Sequence, residues 1–296
     1  MSMTRLETFV NLGYRRDPFK GAAFETGDGL RVRRILTMAV ESRAMVSICG
    51  ERGIGKSAAI RAALEKLGVR QVAVTRGQKE KISIGDIENA LVLDLSDESP
   101  RRGGEARSRQ VRRIVGEASR KQQIVLVIEE AHRLHGSTLR SLKTLREIQW
   151  MGESELFTVV LVGQSDPMAR AGVSEVRLRT DCVRMHGLSA GEAAGYVRSM
   201  LGKHFVDEAV ETLSELPSAR NFLELQALTV ELINLAMAEG REQVTLADVR
   251  AMAGNTQTPL PKAPRKTQAA PVTGGDALQT VLGRRSGVSE PVKAAG

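Results

Sequence analysis

Residues 50–57 read Gly-Glu-Arg-Gly-Ile-Gly-Lys-Ser, and this stretch lies between an apolar run at 45–49 and a helical pattern at about 56–67. Glycines, lysine and serine at this spacing, between a strand and a helix, are typical of a loop that binds nucleotide phosphates. The backbone N–H groups of such a loop and the N-terminus of the helix face the anion. We therefore predict a phosphate-binding loop formed by Gly50, Glu51, Arg52, Gly53, Ile54, Gly55, Lys56 and Ser57.

Two residues of this loop have separate expected roles. Lys56 is expected to reach the β- and γ-phosphates of ATP, and the Ser57 hydroxyl is expected to bind Mg²⁺. A second apolar run, at 124–128, ends in Glu129 and Glu130. We expect Glu129 to lie on the Mg²⁺ side and Glu130 to act as the general base that activates the attacking water.

A third apolar run, at 158–162, is followed by Gly163 and Gln164. The Gln164 amide is a candidate to orient the water or to contact the γ-phosphate. His132 and His135 lie three residues apart beside the paired glutamates, which raises the possibility of a metal site. No cysteine or further histidine is near in sequence, so the pattern favours loop histidines over zinc ligands.

Apolar strand patterns alternate with helical patterns through the first two thirds of the chain, which predicts an α/β fold with a parallel sheet flanked by helices. A further strand is expected at 71–75, and helices at 30–42, 84–95, 105–121 and 137–150. Beyond residue 187 only helical patterns are recognised, at 190–201, 207–216, 222–239 and 246–252. The predicted parts are an N-terminal entry segment at 1–29, a nucleotide-binding domain at 30–187, a small helical lid at 188–254, and a basic, proline-rich, disordered tail at 255–296.

The composition limits the possible environments and partners. The chain has 296 residues, a formal net charge of +8 and two cysteines, Cys49 and Cys182. Two cysteines do not form a disulfide framework, so a reducing compartment is expected. No apolar stretch is long enough for a membrane span, and the first residues lack a signal-peptide pattern. These features predict a cytoplasmic protein without a membrane partner, and the basic charge favours an anionic partner.

Three basic clusters could bind a polynucleotide: the segment 101–121, the group around 76–81, and the helical stripe Arg140, Lys143 and Arg146. Any one cluster could instead be a solvated helix face. Aromatic residues, which make up 3% of the chain, are not interleaved with these clusters, and this argues against stacking of single strands. We therefore predict duplex DNA held through its phosphates without base readout. The candidate contacts are Arg76, Lys79, Lys81, Arg112 and Arg113.

The glycine loop, the paired acids followed by Ala-His-Arg-Leu, the strand ending in Gly-Gln, and the helical lid together resemble an AAA+ ATPase. Tyr14 with the Asp-Pro-Phe run at 17–19, and the Val-Gly-Gln-Ser-Asp-Pro run at 162–167, resemble the branch of ExeA-like ATPases and transposition ATPases of Mu-like phages. The resemblance covers roughly residues 10–253. It implies a P-loop core with ATP and Mg²⁺ as cofactors and a homo-oligomeric ring or helical filament.

The resemblance also implies roles for single residues. Gln164 corresponds to sensor 1, and Arg220 corresponds to the sensor 2 arginine at the start of a lid helix. Arg179 corresponds to an arginine finger that acts across a subunit interface, with Arg177 as the alternative. This sequence departs from the family at Glu129, where aspartate is usual, so hydrolysis is expected to be slow.

The resulting expectation is an ATPase that assembles on duplex DNA, delivers target DNA to a transposase, and works in a bacterial or phage-infected cell. Because the glycine loop is reached by residue 50, DNA contacts are expected from the core or the tail. The alternatives are an ExeA-like secretion or assembly ATPase, a helicase-loader-like ATPase, and a nucleotide-gated scaffold that binds only protein. A membrane span and a cell-wall-binding region, expected of ExeA-like chains, are not recognised here.

Overall fold

The computed structural model describes residues 3–20, 24–74, 82–169 and 172–255. Its centre is a parallel sheet with strand order β2-β3-β4-β1-β5. The strands are β1 (Met45–Cys49), β2 (Arg70–Val74), β3 (Ile124–Ile128), β4 (Thr158–Gly163) and β5 (Thr180–Arg184). β4 thus lies between the strand that precedes the glycine loop and the strand that ends in the paired glutamates.

Helices cover both faces of this sheet, and further helices follow its last strand in the chain. The helices are α1 (Arg5–Asn11), α2 (Gly27–Glu41), α3 (Lys56–Leu67), α4 (Ile84–Leu95), α5 (Gly104–Ser119), α6 (Gly136–Arg146), α7 (Ser174–Arg177), α8 (Ala190–Leu201), α9 (Asp207–Ser214), α10 (Phe222–Ala238) and α11 (Leu246–Asn255). Short 3₁₀ helices lie at Ala131–Arg133, Pro167–Ala169, Gly202–His204 and Pro217–Arg220.

The central strands β1, β3 and β4 are buried on both faces because each face has its own helical layer. Side chains such as Val125 and Val127 pack with α2 and α3 on one face. The alternate residues, such as Leu126 and Ile128, pack with α4, α5 and α6 on the other. Burial on both faces explains why the central strands are continuous apolar runs, and it confirms the predicted α/β fold.

The edge strand β5 was not predicted. Its sequence is Thr-Asp-Cys-Val-Arg, and of these only Val183 is buried. Within the described ranges β5 pairs only with β1 and forms an edge of the sheet. Its exposed polar residues hide the strand pattern. Several helix ends also differ from the prediction: α2 begins at Gly27 instead of residue 30, α5 ends at Ser119 instead of residue 121, α6 ends at Arg146 instead of residue 150, and α11 ends at Asn255 instead of residue 252.

A separate apolar cluster joins the helices after residue 190 to the N-terminal segment. Phe19 stacks on Tyr196 of α8 with ring centroids 5.7 Å apart, and Tyr14 contacts Phe9 edge-on at 6.2 Å. The N-terminal segment therefore packs on the lid helices. The boundaries predicted between core, lid and tail stay predictions, and residues 256–296 lie outside the described part of the chain. No helix in the described ranges is long and apolar enough to cross a membrane.

Candidate nucleotide-binding and hydrolysis site

The glycine loop links the carboxyl end of β1 to the first residue of α3. Gly53 and Gly55 have φ values of +91° and +89°, in the region that glycine adopts without a steric penalty. α3 begins at Lys56 with Gly55 as its N-cap, so the first N–H groups of the helix and its partial positive charge lie at the loop. This strand–loop–helix geometry is that of an anion-binding site.

The Lys56 amine is held by the loop itself. Its Nζ donates hydrogen bonds to the carbonyl oxygens of Gly50 at 2.8 Å and Glu51 at 2.6 Å. Partial burial lowers the pKa of Lys56, while the neighbouring carboxylates Glu129 and Glu130 act in the opposite direction. The structure thus brings the lysine and both acids close enough to interact electrostatically.

The side chains of Ser57 and Glu129 are in contact at the carboxyl edge of the sheet. The Ser57 hydroxyl donates to Glu129 Oε1 at 3.1 Å, although the two residues are far apart in sequence. Glu129 follows β3 directly, and its N–H donates to the Val74 carbonyl at 3.4 Å, which continues the β2–β3 ladder. A hydroxyl beside a carboxylate oxygen is a donor set that suits Mg²⁺.

Glu130 lies at a turn with unusual backbone geometry. It has φ +53° and ψ +31°, the left-handed region that costs a non-glycine residue about 1–2 kcal/mol. Its carbonyl accepts from the Arg133 N–H at 2.9 Å, and the adjacent Ala131 is fully buried, so the surrounding turn holds this conformation. Glu130 Oε2 lies 3.5 Å from Arg133 Nε and 3.8 Å from His132 Nε2.

Gln164 follows β4, the neighbour of β3, and therefore lies at the same edge of the sheet. Its backbone N–H donates to His132 Nδ1 at 3.2 Å. His132 thus lies between the candidate general base and the candidate sensor 1. His135, by contrast, caps α6, because its Nδ1 accepts from the Ser137 N–H.

The first residues of α10 contact the glycine loop from the lid side. Asn221 Nδ2 donates to the Arg52 carbonyl at 2.7 Å, while its Oδ1 caps α10 by accepting from the Leu223 N–H at 3.0 Å. The Phe222 N–H donates to the Gly53 carbonyl at 3.1 Å. A side chain at Gly53 would meet Asn221 Oδ1 at 2.2 Å, so this contact requires glycine.

A cavity of about 520 Å³ lies between α2, the segment after β5 and the lid. Its charged lining includes Asp28, Arg31, Glu192 and Arg220. The cavity adjoins the glycine loop, since a side chain at Gly187, another lining residue, would contact Ile54 at 3.4 Å. The candidate sensor 2 arginine therefore faces a cavity beside the phosphate loop. In the part of the chain that the structure describes, its guanidinium forms no ion pair.

The two candidate arginine fingers lie in different surroundings. Arg179 Nη1 forms an ion pair with Glu147 Oε1 at 2.8 Å. Arg177 is exposed at the end of α7 and has no ion-pair partner among the described residues. The adjacent Leu178 is 89% exposed. Of the two arginines, Arg177 is thus the more available to a second molecule, because Arg179 would first have to leave Glu147.

The candidate DNA contacts are also not equivalent. Arg76, Lys79 and Lys81 lie outside the described residues. Arg113 on α5 is bonded to the carboxylates of Glu98 and Glu117, so its charge is neutralised within the chain.

Arg112 is exposed, and its Nε donates at 2.7 Å to the neutral carbonyl of Gln149. The charge of Arg112 therefore stays available to an anion, whereas that of Arg113 does not.

Comparison with known proteins agrees with this geometry. Residues 39–168 match the family model of the AAA domain. This segment is similar to AAA domains. Together with the phosphate loop and the paired acids, the match supports ATPase activity, and the protein is an ATPase that binds nucleotide. None of the curated proteins matches the sequence.

Solved structures of the same fold extend over most of the chain. Cdc6p from Pyrobaculum aerophilum matches with a TM-score of 0.62 at 14% identity, over 82% of this chain and 72% of that one. The ORC2 protein of Aeropyrum pernix, solved in ADPNP-ADP complexes, matches with a TM-score of 0.59 at 15% identity, over 81% of this chain and 71% of that one. Drosophila ORC bound to DNA matches with a TM-score of 0.56 at 12% identity, over 77% and 60%.

These likenesses confirm the AAA+ fold. The narrower resemblance to transposition ATPases stays a prediction.

Sequence reasoning missed the site roles of His132 and Asn221. An asparagine that precedes a long apolar helix is a recognisable N-cap signal, so the cap of Asn221 could have been predicted. Its contact with Arg52 joins residues 169 positions apart and has no sequence signal. His132 was recognised only as a loop histidine, because no pattern indicated its contact with Gln164.

Proposed function

We propose that this ATPase binds Mg·ATP at the glycine loop and, in that state, assembles along duplex DNA without sequence preference. The observation that carries the nucleotide part is the meeting of Lys56, Ser57, Glu129 and Glu130 at one edge of the sheet. In this proposal Lys56 binds the phosphates, Glu130 accepts a proton from the attacking water, and Arg220 contacts the nucleotide from the lid.

Mg²⁺ fits the donor set of this site. The Ser57 hydroxyl and the Glu129 carboxylate would hold it, because Mg²⁺ takes few protein oxygens and completes its shell with phosphates and water. When bound, the ion would neutralise charge on the phosphates. The cavity lined by Asp28, Arg31 and Arg220 would receive the nucleoside, because it adjoins the loop and is about 520 Å³ in volume.

Duplex DNA is the proposed partner because of charge and fold. The chain has a net charge of +8, and one solved structure of the same fold is of Drosophila ORC bound to DNA. Among the residues that the structure describes, Arg112 on α5 has no carboxylate partner, and neither do Arg102 and Lys121 near the two ends of this helix. Contacts of this kind neutralise phosphates and read no bases.

Assembly into a ring or filament would repeat these contacts along the DNA. The exposed Arg177, next to the exposed Leu178, is the side chain best suited to reach the nucleotide site of a neighbouring copy. At the finest level we propose that the assembled protein presents target DNA to a transposase in the cytoplasm. The alternative functions for the same nucleotide site are those of a helicase-loader-like ATPase, an ExeA-like secretion or assembly ATPase, and a nucleotide-gated scaffold that binds only protein.

The test is a salt titration of binding to a fluorescent duplex, with and without a non-hydrolysable ATP analogue. Binding should require the analogue and should be equal on unrelated sequences. The logarithm of affinity should fall with the logarithm of salt by about 0.9 per phosphate neutralised. Absence of binding with the analogue at low salt would reject the DNA part of the proposal and favour the scaffold or secretion ATPase.

Charge-reversal variants distinguish a specific DNA-binding surface on α5 from a general effect of the net charge of the protein. Arg112→Glu should weaken binding similarly on all sequences and should flatten the salt slope. Arg250→Glu, on α11 of the lid, makes the same charge change and serves as the matched control. If both variants weaken DNA binding equally, net charge and not the α5 surface is responsible.

A further inference from the structure

His132 occupies a position that the nucleotide site does not yet explain. It is the middle residue of the 3₁₀ helix Ala131–Arg133, directly after the paired glutamates. Its side chain is 15% exposed, whereas that of Glu130 is 40% exposed. A largely buried imidazole thus lies against a carboxylate that is open to solvent.

The two ring nitrogens of His132 face two different parts of the site. Nδ1 accepts a hydrogen bond from the backbone N–H of Gln164 at 3.2 Å. Nε2 lies 3.8 Å from Glu130 Oε2. One ring therefore connects the end of β4 to the residue proposed as general base.

The contact with Gln164 determines which nitrogen carries the proton. A nitrogen that accepts from a backbone N–H is unprotonated, so the neutral ring carries its proton on Nε2. That N–H faces the Glu130 carboxylate. The separation of 3.8 Å exceeds an ordinary hydrogen bond by about 1 Å, and catalytic hydrogen bonds commonly shorten only when substrate is bound.

Glu130 needs such a partner because, among the described residues, only His132 and Arg133 form ion-pair contacts with its carboxylate. Its backbone is held in the left-handed region by the turn, but the carboxylate itself is partly solvated. Arg133, its other neighbour at 3.5 Å, is 52% exposed, and exposed ion pairs restrain side chains weakly. A base that is misplaced by about 1 Å can cost about a hundredfold in rate.

We propose that His132 is a positioning residue: it takes its tautomer from the Gln164 backbone and donates from Nε2 to Glu130, so that the carboxylate is held toward the attacking water. The proton moved in hydrolysis goes from that water to Glu130, and His132 keeps its own proton throughout. This inference rests on the proposed role of Glu130 as general base.

Two substitutions separate the contact of His132 with Gln164 from its contact with Glu130. In His132→Asn the amide lies near the Nδ1 position, so it keeps the contact with Gln164 and loses the one with Glu130. In His132→Gln the amide N–H lies near the Nε2 position and keeps the contact with Glu130. We expect kcat to fall by about tenfold to a hundredfold in His132→Asn and to stay within about threefold of wild type in His132→Gln. KM for ATP should change less than about twofold in both.

The decisive result is which of the two His132 variants hydrolyses ATP faster. If His132→Asn hydrolyses ATP as fast as His132→Gln, or faster, the ring acts only through the Gln164 backbone and the inference is overturned. Loss of ATP binding in both variants would also overturn it, because a positioning residue affects kcat and not ground-state binding. His135→Asn, a histidine substitution in the adjacent α6 cap, should leave kcat unchanged.

A third variant tests the underlying assignment separately. Glu130→Gln should bind ATP and fail to hydrolyse it. If Glu130→Gln hydrolyses at the wild-type rate, the proposed general base is wrong, and the inference about His132 falls with it. If Glu130→Gln is inactive while His132→Asn is fully active, only the inference is rejected.

Discussion

Replacing Asn221 separates its two side-chain hydrogen bonds, one of which reaches the glycine loop while the other caps α10. Asn221→Ser keeps the N-cap of α10, since serine caps as well as asparagine, but loses the donor to the Arg52 carbonyl. That neutral hydrogen bond contributes about 1 kcal/mol. Asn221→Ala loses the cap as well, which costs a further ~1 kcal/mol. We expect Tm to fall by about 2–4 °C in the serine variant and about twice that in the alanine variant.

The loop contact should also affect ATP binding. Without the Asn221 amide, the Arg52 carbonyl is no longer restrained, so part of the ordering of the loop must occur when ATP binds. A cost of about 1 kcal/mol corresponds to an increase of roughly fivefold in Kd for ATP, since 1.4 kcal/mol is tenfold. Thermal unfolding by circular dichroism and titration with a fluorescent ATP analogue measure the two effects.

Asn234→Ser is the matched control for this experiment. Asn234 lies on the same helix, α10, but its side chain contacts Thr8 and the Met3 carbonyl and not the loop. This variant should lower Tm and leave ATP affinity unchanged. An equal Tm of Asn221→Ser and Asn221→Ala would refute the capping argument. If both Asn221 variants bind ATP with wild-type affinity, the coupling of the lid to the loop is refuted.

Three further predictions concern other parts of the molecule. Burial lowers the pKa of Lys56, and bound phosphate would raise it. ATP affinity should therefore fall as the pH rises through the lowered pKa of the free protein. The Kd for ATP, measured across alkaline pH, should increase in wild type and should stay constant in Lys56→Arg. Arg177→Ala should abolish hydrolysis at protein concentrations that support assembly, whereas Arg179→Ala, which loses only the pair with Glu147, should retain it; the opposite order in an ATPase assay would contradict the choice of finger. Gly116→Ala should destabilise the protein by about 1–3 kcal/mol in thermal melts, because the added carbon would lie 2.1 Å from the Trp150 ring; no loss of Tm would show that the ring moves aside freely.

The nucleotide-binding half of the protein could be predicted from local patterns. The loop at 50–57 is contiguous, and the strands Ile124–Ile128 and Thr158–Gly163 are buried on both faces, so each appears as an apolar run that ends in polar residues. Because parallel strands place their carboxyl ends at one edge of a sheet, these runs predicted where the acids and Gln164 would lie. The family match at 39–168 confirms that prediction of the fold.

Tertiary structure alone decided which charges are available and which residues touch. Arg112 and Arg113 are adjacent in sequence, but only the fold brings Glu98 to Arg113 and a neutral carbonyl to Arg112. The strand Thr180–Arg184 escaped prediction because an edge strand need not be apolar.

The contacts of His132 with Gln164 and of Asn221 with Arg52 join residues that are distant in the chain. Sequence determines such contacts only through the packing of whole elements, whereas a motif such as the glycine loop is specified by the backbone geometry of its own few residues.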